Sequence, residues 1–255
     1  FYAVAALGAV NFVYGWFFLP ETNPPENRRP FNWRRANAFS SFKNFRHYPA
    51  ILPTAAVFFL LGLARWSFPA VWAYYAREAV DWSAREIGFS LMAVGLAAAI
   101  VEGGLTRIVI PKLGEARAAI LGASIGVVAY VGYAFASAGW MIYALIAFGA
   151  FGGFATPALQ GIMSKSAPAN AQGELQGAIG SLNGVAMILG PLVMTQVFAA
   201  FTEDAATVYF PGAHFLLAAL LAASAFVPLM IAVRRLEPES VRPDPAQARA
   251  GEPSA

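Results

Sequence analysis

Two charges stand inside apolar stretches of this sequence, and they set its chemistry. Glu102 lies in AAAIVEGGLTRIV and Arg65 in FFLLGLARWSFPAVW. A charge in hydrocarbon costs about 2.5–3.5 kcal/mol even on lenient insertion scales, so each must face a bundle interior or a wet cavity. A carboxyl in such a place can take up and release a proton. A guanidinium can pair with that acid or hold an anionic group of a cargo. Proton exchange at Glu102 during transport, and an ion pair or cargo anchor at Arg65, are the functional readings. A static helix-to-helix ion pair, or Glu102 snorkelling beside Arg107, is the structural alternative. Trp66, Gln160 and Asn183 are softer candidates to line a cargo path, with Gln196 and Asn11 behind them. Membrane amides bond either a cargo or a neighbouring helix. Pro157 and Pro191 interrupt helical hydrogen bonding in their segments, as the broken helices of transport paths do.

These side chains need membrane helices to position them. Of the 255 residues, 58% are hydrophobic and 12% charged; soluble domains carry about 25% charged residues. Mean hydropathy is +0.57. Apolar runs of spanning length recur along the chain, so the protein is an integral membrane protein of the all-α class. Seven spans are expected: residues 1–19, Pro49 to Ala76, Ile87 to Ile108, Ala118 to Ala136, Trp140 to Met163, Leu175 to Phe201, and Ala213 to Val233. A long basic loop, 20–49, separates the first span from a bundle over 50–233. A polar, Pro-rich tail, 234–255, is expected to be disordered. The chain opens on Phe1 inside an apolar run, so its true N-terminus is expected to be missing.

Lys and Arg are distributed unevenly between the two sides. Arg28, Arg29, Arg34, Arg35, Lys43 and Arg46 of the long loop, Lys112 and Arg117, Lys165, and Arg234 and Arg235 share one side. The other side holds Arg77 and Arg85, with Glu203 and Asp204 in its last loop. The positive-inside rule makes the basic side cytoplasmic, tail included, and accounts for the basic loop; binding of that loop to anionic lipid headgroups is the sharper alternative, ahead of nucleic acid. Gly122 and Gly126, Gly149 and Gly153, and Gly180 and Gly184 are spaced for close helix contact. Trp72, Tyr74, Tyr75, Trp82 and Trp140 stand near predicted span ends, where interfacial aromatics are expected.

Catalytic chemistry has little to work with. There is no cysteine. His47 and His214 stand outside the spans or at an edge, and no phosphate loop, metal-ligand spacing or nucleophile triad is present. The sequence points to no enzyme, no metal and no cofactor, and a proton gradient is the expected energy source.

The stretches Pro157-Ala-Leu-Gln160, Met163-Ser164, Gln172-Gly-Glu-Leu-Gln-Gly177 and Gly190-Pro191 resemble the tetracycline/proton antiporter branch of the major facilitator superfamily. Phe68-Pro-Ala70 with Trp72, Trp82 to Leu91, and Lys112-Leu-Gly-Glu115 with Arg117 extend the resemblance over Pro20 to Phe201. It implies a major facilitator helical bundle holding helix six through helix twelve, with 20–49 as the central cytoplasmic linker and the N-terminal half missing. It makes Lys112, Gly114, Glu115 and Arg117 the conformational loop between helices eight and nine. It also implies alternating access in an inner (cytoplasmic) membrane, with the lipid bilayer and the other half of the protein as partners and a small molecule as substrate. Tetracycline members of that family carry a His in helix eight and an Asp in helix nine. Those positions fall on Ala98 and Gly126 here, and a functional amide position falls on Glu102. Proton-coupled drug efflux is the leading expectation. A proton-coupled importer of a nutrient or anionic metabolite, and a non-transporting membrane sensor or scaffold, are the alternatives.

Overall fold

The computed structural model describes residues 2–18, 50–167, 171–203 and 206–240. Most of the long basic loop and the last part of the tail therefore lie outside the described residues. Two units are distinguished, Phe1–Arg34 and Arg35–Ala255. In the first, α1 is an apolar helix over Tyr2–Phe18, 17 residues long, with Phe12 tilted against Trp16 and Tyr14 stacked on Phe18.

Among the described residues the second unit holds six helices long and apolar enough to cross a membrane: α2 Ile51–Val80, α3 Ala84–Leu113, α4 Glu115–Ala134, α5 Gly139–Ser166, α6 Gln172–Ala200 and α7 Ala213–Arg235. Of the seven expected spans, α1 is apolar but shorter than the other six. The last helix runs on to Ser240. The expected start of a disordered tail at Arg234 is thereby corrected: Arg234, Arg235, Leu236 and Glu237 are all residues of good helix propensity. α3 likewise passes the expected end at Ile108 and stops at Leu113, where Gly114 takes φ 79°, a conformation that favours glycine.

Local sequence explains both ends and breaks. Ser83 starts α3 with a capping box: Glu86 N–H donates to Ser83 Oγ at 3.4 Å, and Ser83 N–H donates to the Glu86 carboxylate at 2.8 Å. Prolines then break three of the helices from within. Pro69 has no N–H for the Arg65 carbonyl, and α2 turns at Trp66 between Ile51–Arg65 and Ser67–Val80. Pro157 has none for Gly153, and α5 tightens to a 3-10 segment over Ala150–Phe154. Pro228 has none for Ser224, and α7 turns at Ala225. Pro191 lies inside α6, where Thr195 Oγ donates back to the Pro191 carbonyl at 2.7 Å. A further irregularity needs no proline. Residues Val101–Leu105 of α3 form a π-helical turn, and Thr106 Oγ donates to the Val101 carbonyl at 2.9 Å.

α4 lies against α7 and α5, while α2 packs on α6 and α7. Two cores result. Ile51, Phe58, Leu159, Met163, Leu175 and Leu229 form one toward the basic end. Trp72, Tyr75, Tyr133, Ile142, Met194 and Phe215 form the other. Phe215 is the hub of the second, with its ring 4.9 Å from Tyr75, 5.1 Å from Tyr133 and 5.4 Å from Phe68. The buried His214 completes this cluster, its Nδ1 3.0 Å from the Pro211 carbonyl oxygen. Trp72, Tyr75 and Trp82 are therefore core residues and not interfacial anchors; Tyr74 and Trp140 are the exposed ones. Trp72 and Tyr75 stand three residues apart on one helical face, which turns inward, while Tyr74 points away from it.

The small-residue pairs divide in the same way. A methyl on Gly122 of α4 would stand 2.5 Å from the Ala155 backbone nitrogen of α5, and one on Gly149 would stand 3.2 Å from Ala129 Cβ. These glycines set the α4–α5 approach. Gly180 and Gly184 of α6 meet nothing within 4 Å among the described residues.

Candidate functional site: a charged cavity in the helical bundle

Between the two cores, α2, α3, α4 and α5 leave a cavity of about 430 Å3. Its size is within the range of small-molecule sites, about 300–1,000 Å3. Phe68, Trp72, Tyr130, Tyr133, Ile146 and Leu91 supply apolar and aromatic wall, Gly122, Gly126, Gly149, Gly152 and Gly153 supply bare backbone, and Thr156 a hydroxyl. Arg65 and Glu102 both stand on this wall. Two charges from stretches 37 positions apart in sequence are thus brought to one void by α2 and α3.

Each charge sits at a defect of its own helix. Arg65 is the last residue before the α2 turn, and its carbonyl is the one Pro69 cannot bond. Glu102 is the second residue of the π-helical turn. The π-turn packs against the 3-10 segment of α5, and there Glu102 lies on Gly153: a methyl on that glycine would be 2.9 Å from Glu102 Oε1 and 3.0 Å from its Cγ. Among the described residues neither Arg65 nor Glu102 enters an ion pair. The static pair weighed from sequence is not formed here: the two groups share a wall without bonding one another.

The other sequence candidates are placed differently. Trp66 packs on Gly190 of α6, where a methyl would come within 2.5 Å of its indole. It follows Arg65 by one residue, about 100° around the helix, and so faces another neighbour. Gln160 and Asn183 are exposed, as Arg65 and Glu102 also are, but they stand away from the cavity. None of these three belongs to the cavity wall. Ala98 and Gly126, the positions the resemblance singled out, do belong to it, beside Glu102.

At the basic end, Lys112, Gly114, Glu115 and Arg117 form the turn from α3 into α4. Lys165 Nζ of α5 reaches Glu115 Oε1 at 2.9 Å, with 74% of the lysine side chain exposed and 22% of the glutamate's. Gly161 makes room for this pair, since a methyl there would be 2.6 Å from Glu115 Oε1. At the opposite end the Tyr209 hydroxyl donates to the Glu78 carboxylate, tying the 201–212 loop to α2. That bond pushes the Tyr209 phenol up to about 12.

The roles of the aromatic wall escaped the sequence reading, although a signal was present. Trp72, Tyr130 and Tyr133 are large aromatics in spans, but nothing in their spacing separates a cavity wall from core. The glycines that admit Glu102 and Glu115 could not be told from packing glycines, because the contact is with a side chain from another helix.

A bundle of long apolar helices, broken where its charges sit and hollow between them, is a multi-pass membrane protein. Residues 1–191 match the Major Facilitator Superfamily, and the chain belongs to it. It is similar to the tetracycline resistance protein, class C, of Escherichia coli, 34% identical over 200 residues, which is 78% of this chain and 50% of that protein. It is 32% identical over 207 residues to the class G protein of Vibrio anguillarum, covering 78% of this chain and 51% of that one. A further relative is the human hippocampus abundant transcript 1 protein, 24% identical over 188 residues, 72% of this chain and 38% of that protein. The chain spans about half the length of the tetracycline resistance proteins it matches.

Proposed function

We propose that the chain is the C-terminal part of a proton-coupled antiporter that exports drug-like molecules across an inner (cytoplasmic) membrane by alternating access. The observation that carries this reading is one cavity bearing both a carboxyl, Glu102, and a guanidinium, Arg65, on largely apolar walls. The likeness to tetracycline resistance proteins supports export of a drug as the direction and tetracycline as the first cargo to try. In this reading Glu102 gives and takes the coupling proton, and the gradient is the energy source. Arg65 holds an anionic group of the cargo, and Phe68, Trp72, Tyr130 and Tyr133 cover its apolar body.

The remaining parts follow from the same reading. Residues 20–49 link the two halves on the cytoplasmic side, where the tail also lies, and the partner of this bundle is the N-terminal half of the same protein. Lys112, Gly114, Glu115 and Arg117 move with the change of access, since the Glu115–Lys165 pair joins the α3–α4 turn to α5. Trp66, Gln160 and Asn183 remain cargo contacts only where the two halves face one another.

The test is drug-driven proton movement in everted membrane vesicles holding the full-length protein. Adding tetracycline to energised vesicles is expected to release protons, with Glu102→Gln abolishing the release at unchanged amounts of protein. Release that survives in Glu102→Gln removes this acid from coupling. No proton release and no drug accumulation with a panel of drugs would remove the efflux reading.

A further inference from the structure

The notable feature left over is the meeting of two helix defects. The π-turn of α3, Val101–Leu105, touches the 3-10 segment of α5, Ala150–Phe154, and each defect brings one residue to the contact. From α3 comes Glu102, rotated out of the ordinary α-helical phase by the extra residue of the π-turn. From α5 comes Gly153, on which a methyl would stand 2.9 Å from Oε1, 3.0 Å from Cγ and 3.3 Å from Cδ of Glu102. Glycines used only for helix approach look different here. Gly122 meets backbone and a methyl, and Gly149 meets Ala129 Cβ, whereas all three nearest neighbours of Gly153 belong to one acidic side chain. Pro157, four residues on, has no N–H with which to close the usual helical bond to the Gly153 carbonyl.

We propose that Gly153 is a positioning residue for Glu102: its bare Cα makes the seat, and its carbonyl, deprived of its helical donor, accepts from the carboxyl group when that group is protonated. This rests on the reading of Glu102 as the proton-exchanging acid. The proton comes from the cavity and returns to it, and no bond other than O–H is made or broken. The other charged or titratable groups on the cavity wall are Arg65 of α2 and Tyr130 and Tyr133 of α4. The 3-10 segment contributes none, and Arg107 follows on α3 itself. The seat therefore fixes how far the carboxyl stands from the fixed charge of Arg65. A methyl at 153 does not remove the acid; it turns it off the α5 backbone and into the cavity.

The experiment uses the full-length protein in membranes and the hydrophobic probe dicyclohexylcarbodiimide, which modifies protonated carboxyls. The rate of Glu102 modification is followed by mass spectrometry across pH. Gly153→Ala is expected to change that rate about two- to tenfold, the population change carried by a side chain forced ~30° off its rotamer. The midpoint of its pH dependence is expected to move with it. Gly95→Ala, on the same helix as Glu102 with nothing within 4 Å of its added methyl, is expected to leave both unchanged. An unchanged rate and midpoint in Gly153→Ala would overturn the proposal. If that variant fails to accumulate in the membrane, Glu102→Ala is added to it. Removing the clashing atoms is expected to restore the amount; failure to restore it assigns Gly153 to backbone packing and also overturns the proposal. Because labelling needs no transport, an altered rate in a protein that moves no drug supports the seat while rejecting the efflux reading.

Discussion

Gly122 and Gly126 stand one turn apart on α4, both on the cavity wall, and alanine at the two should have opposite effects on stability. At Gly122 the new methyl falls 2.5 Å from the Ala155 backbone nitrogen, 3.0 Å from the Ala155 Cβ and 3.0 Å from the Gly152 carbonyl oxygen. Ordinary contact begins at 3.4 Å, so α4 and α5 must part by nearly an ångström, and the opposing atoms are backbone that cannot swing aside. Overpacking of this kind costs about 1–3 kcal/mol. For about 150–250 residues each kcal/mol moves the melting temperature by about 2–4 °C, so in the longer full-length protein the fall is at most about 12 °C. At Gly126 the methyl meets nothing within 4 Å. There the change relieves the helix penalty of glycine, about 1 kcal/mol, and the melting temperature should hold or rise slightly. The assay is loss of the monodisperse peak of the detergent-solubilised full-length protein after heating. A fall in Gly126→Ala equal to that in Gly122→Ala would refute the reasoning, because the two differ only in what the methyl touches.

Gly212→Ala should be worse than either, since its methyl would sit 2.0 Å from the Ala134 carbonyl oxygen; the expected result is failure to accumulate in the membrane, measured by immunoblot, and normal accumulation would contradict the α4–α7 contact. Tyr209 should titrate near 12 in the folded protein, because its bond to Glu78 favours the neutral phenol. The raised value means that whatever the bond contributes is present below the ordinary phenol value of 10.0 and is lost as pH rises through about 12. Glu78→Gln should bring the Tyr209 tyrosinate absorbance, isolated by difference against Tyr209→Phe, back toward 10; an unmoved midpoint would exclude the bond. Lys165→Met should cost less than about 1 kcal/mol in unfolding, as an ion pair with an exposed lysine does, and a loss several times larger would mean that Glu115 needs its partner to stay on Gly161.

Much of this protein was legible in its sequence. The deficit of charge and the bias of Lys and Arg place the chain in lipid, and the length and continuity of the apolar runs select helices over the alternating strands of a barrel, the other structure that satisfies its backbone in a bilayer. Arg65 and Glu102 stood out for the cost of a charge in hydrocarbon alone, and that same cost is why both face a cavity. Pro69 and Pro157 could have located two of the helix defects, since a missing N–H is a local fact.

The rest depended on contacts between helices. Whether Trp72 is an anchor at the membrane surface or a core residue turns on the phase of α2 against α7, which no single helix encodes. The π-turn at Glu102 has no proline to announce it and is seen only where α3 meets α5. Sequence made Gly122, Gly153 and Gly161 alike as small residues. Only the tertiary structure separates the glycine that lets two backbones touch from the two that each receive a carboxylate, because the difference lies in what arrives from the neighbouring helix.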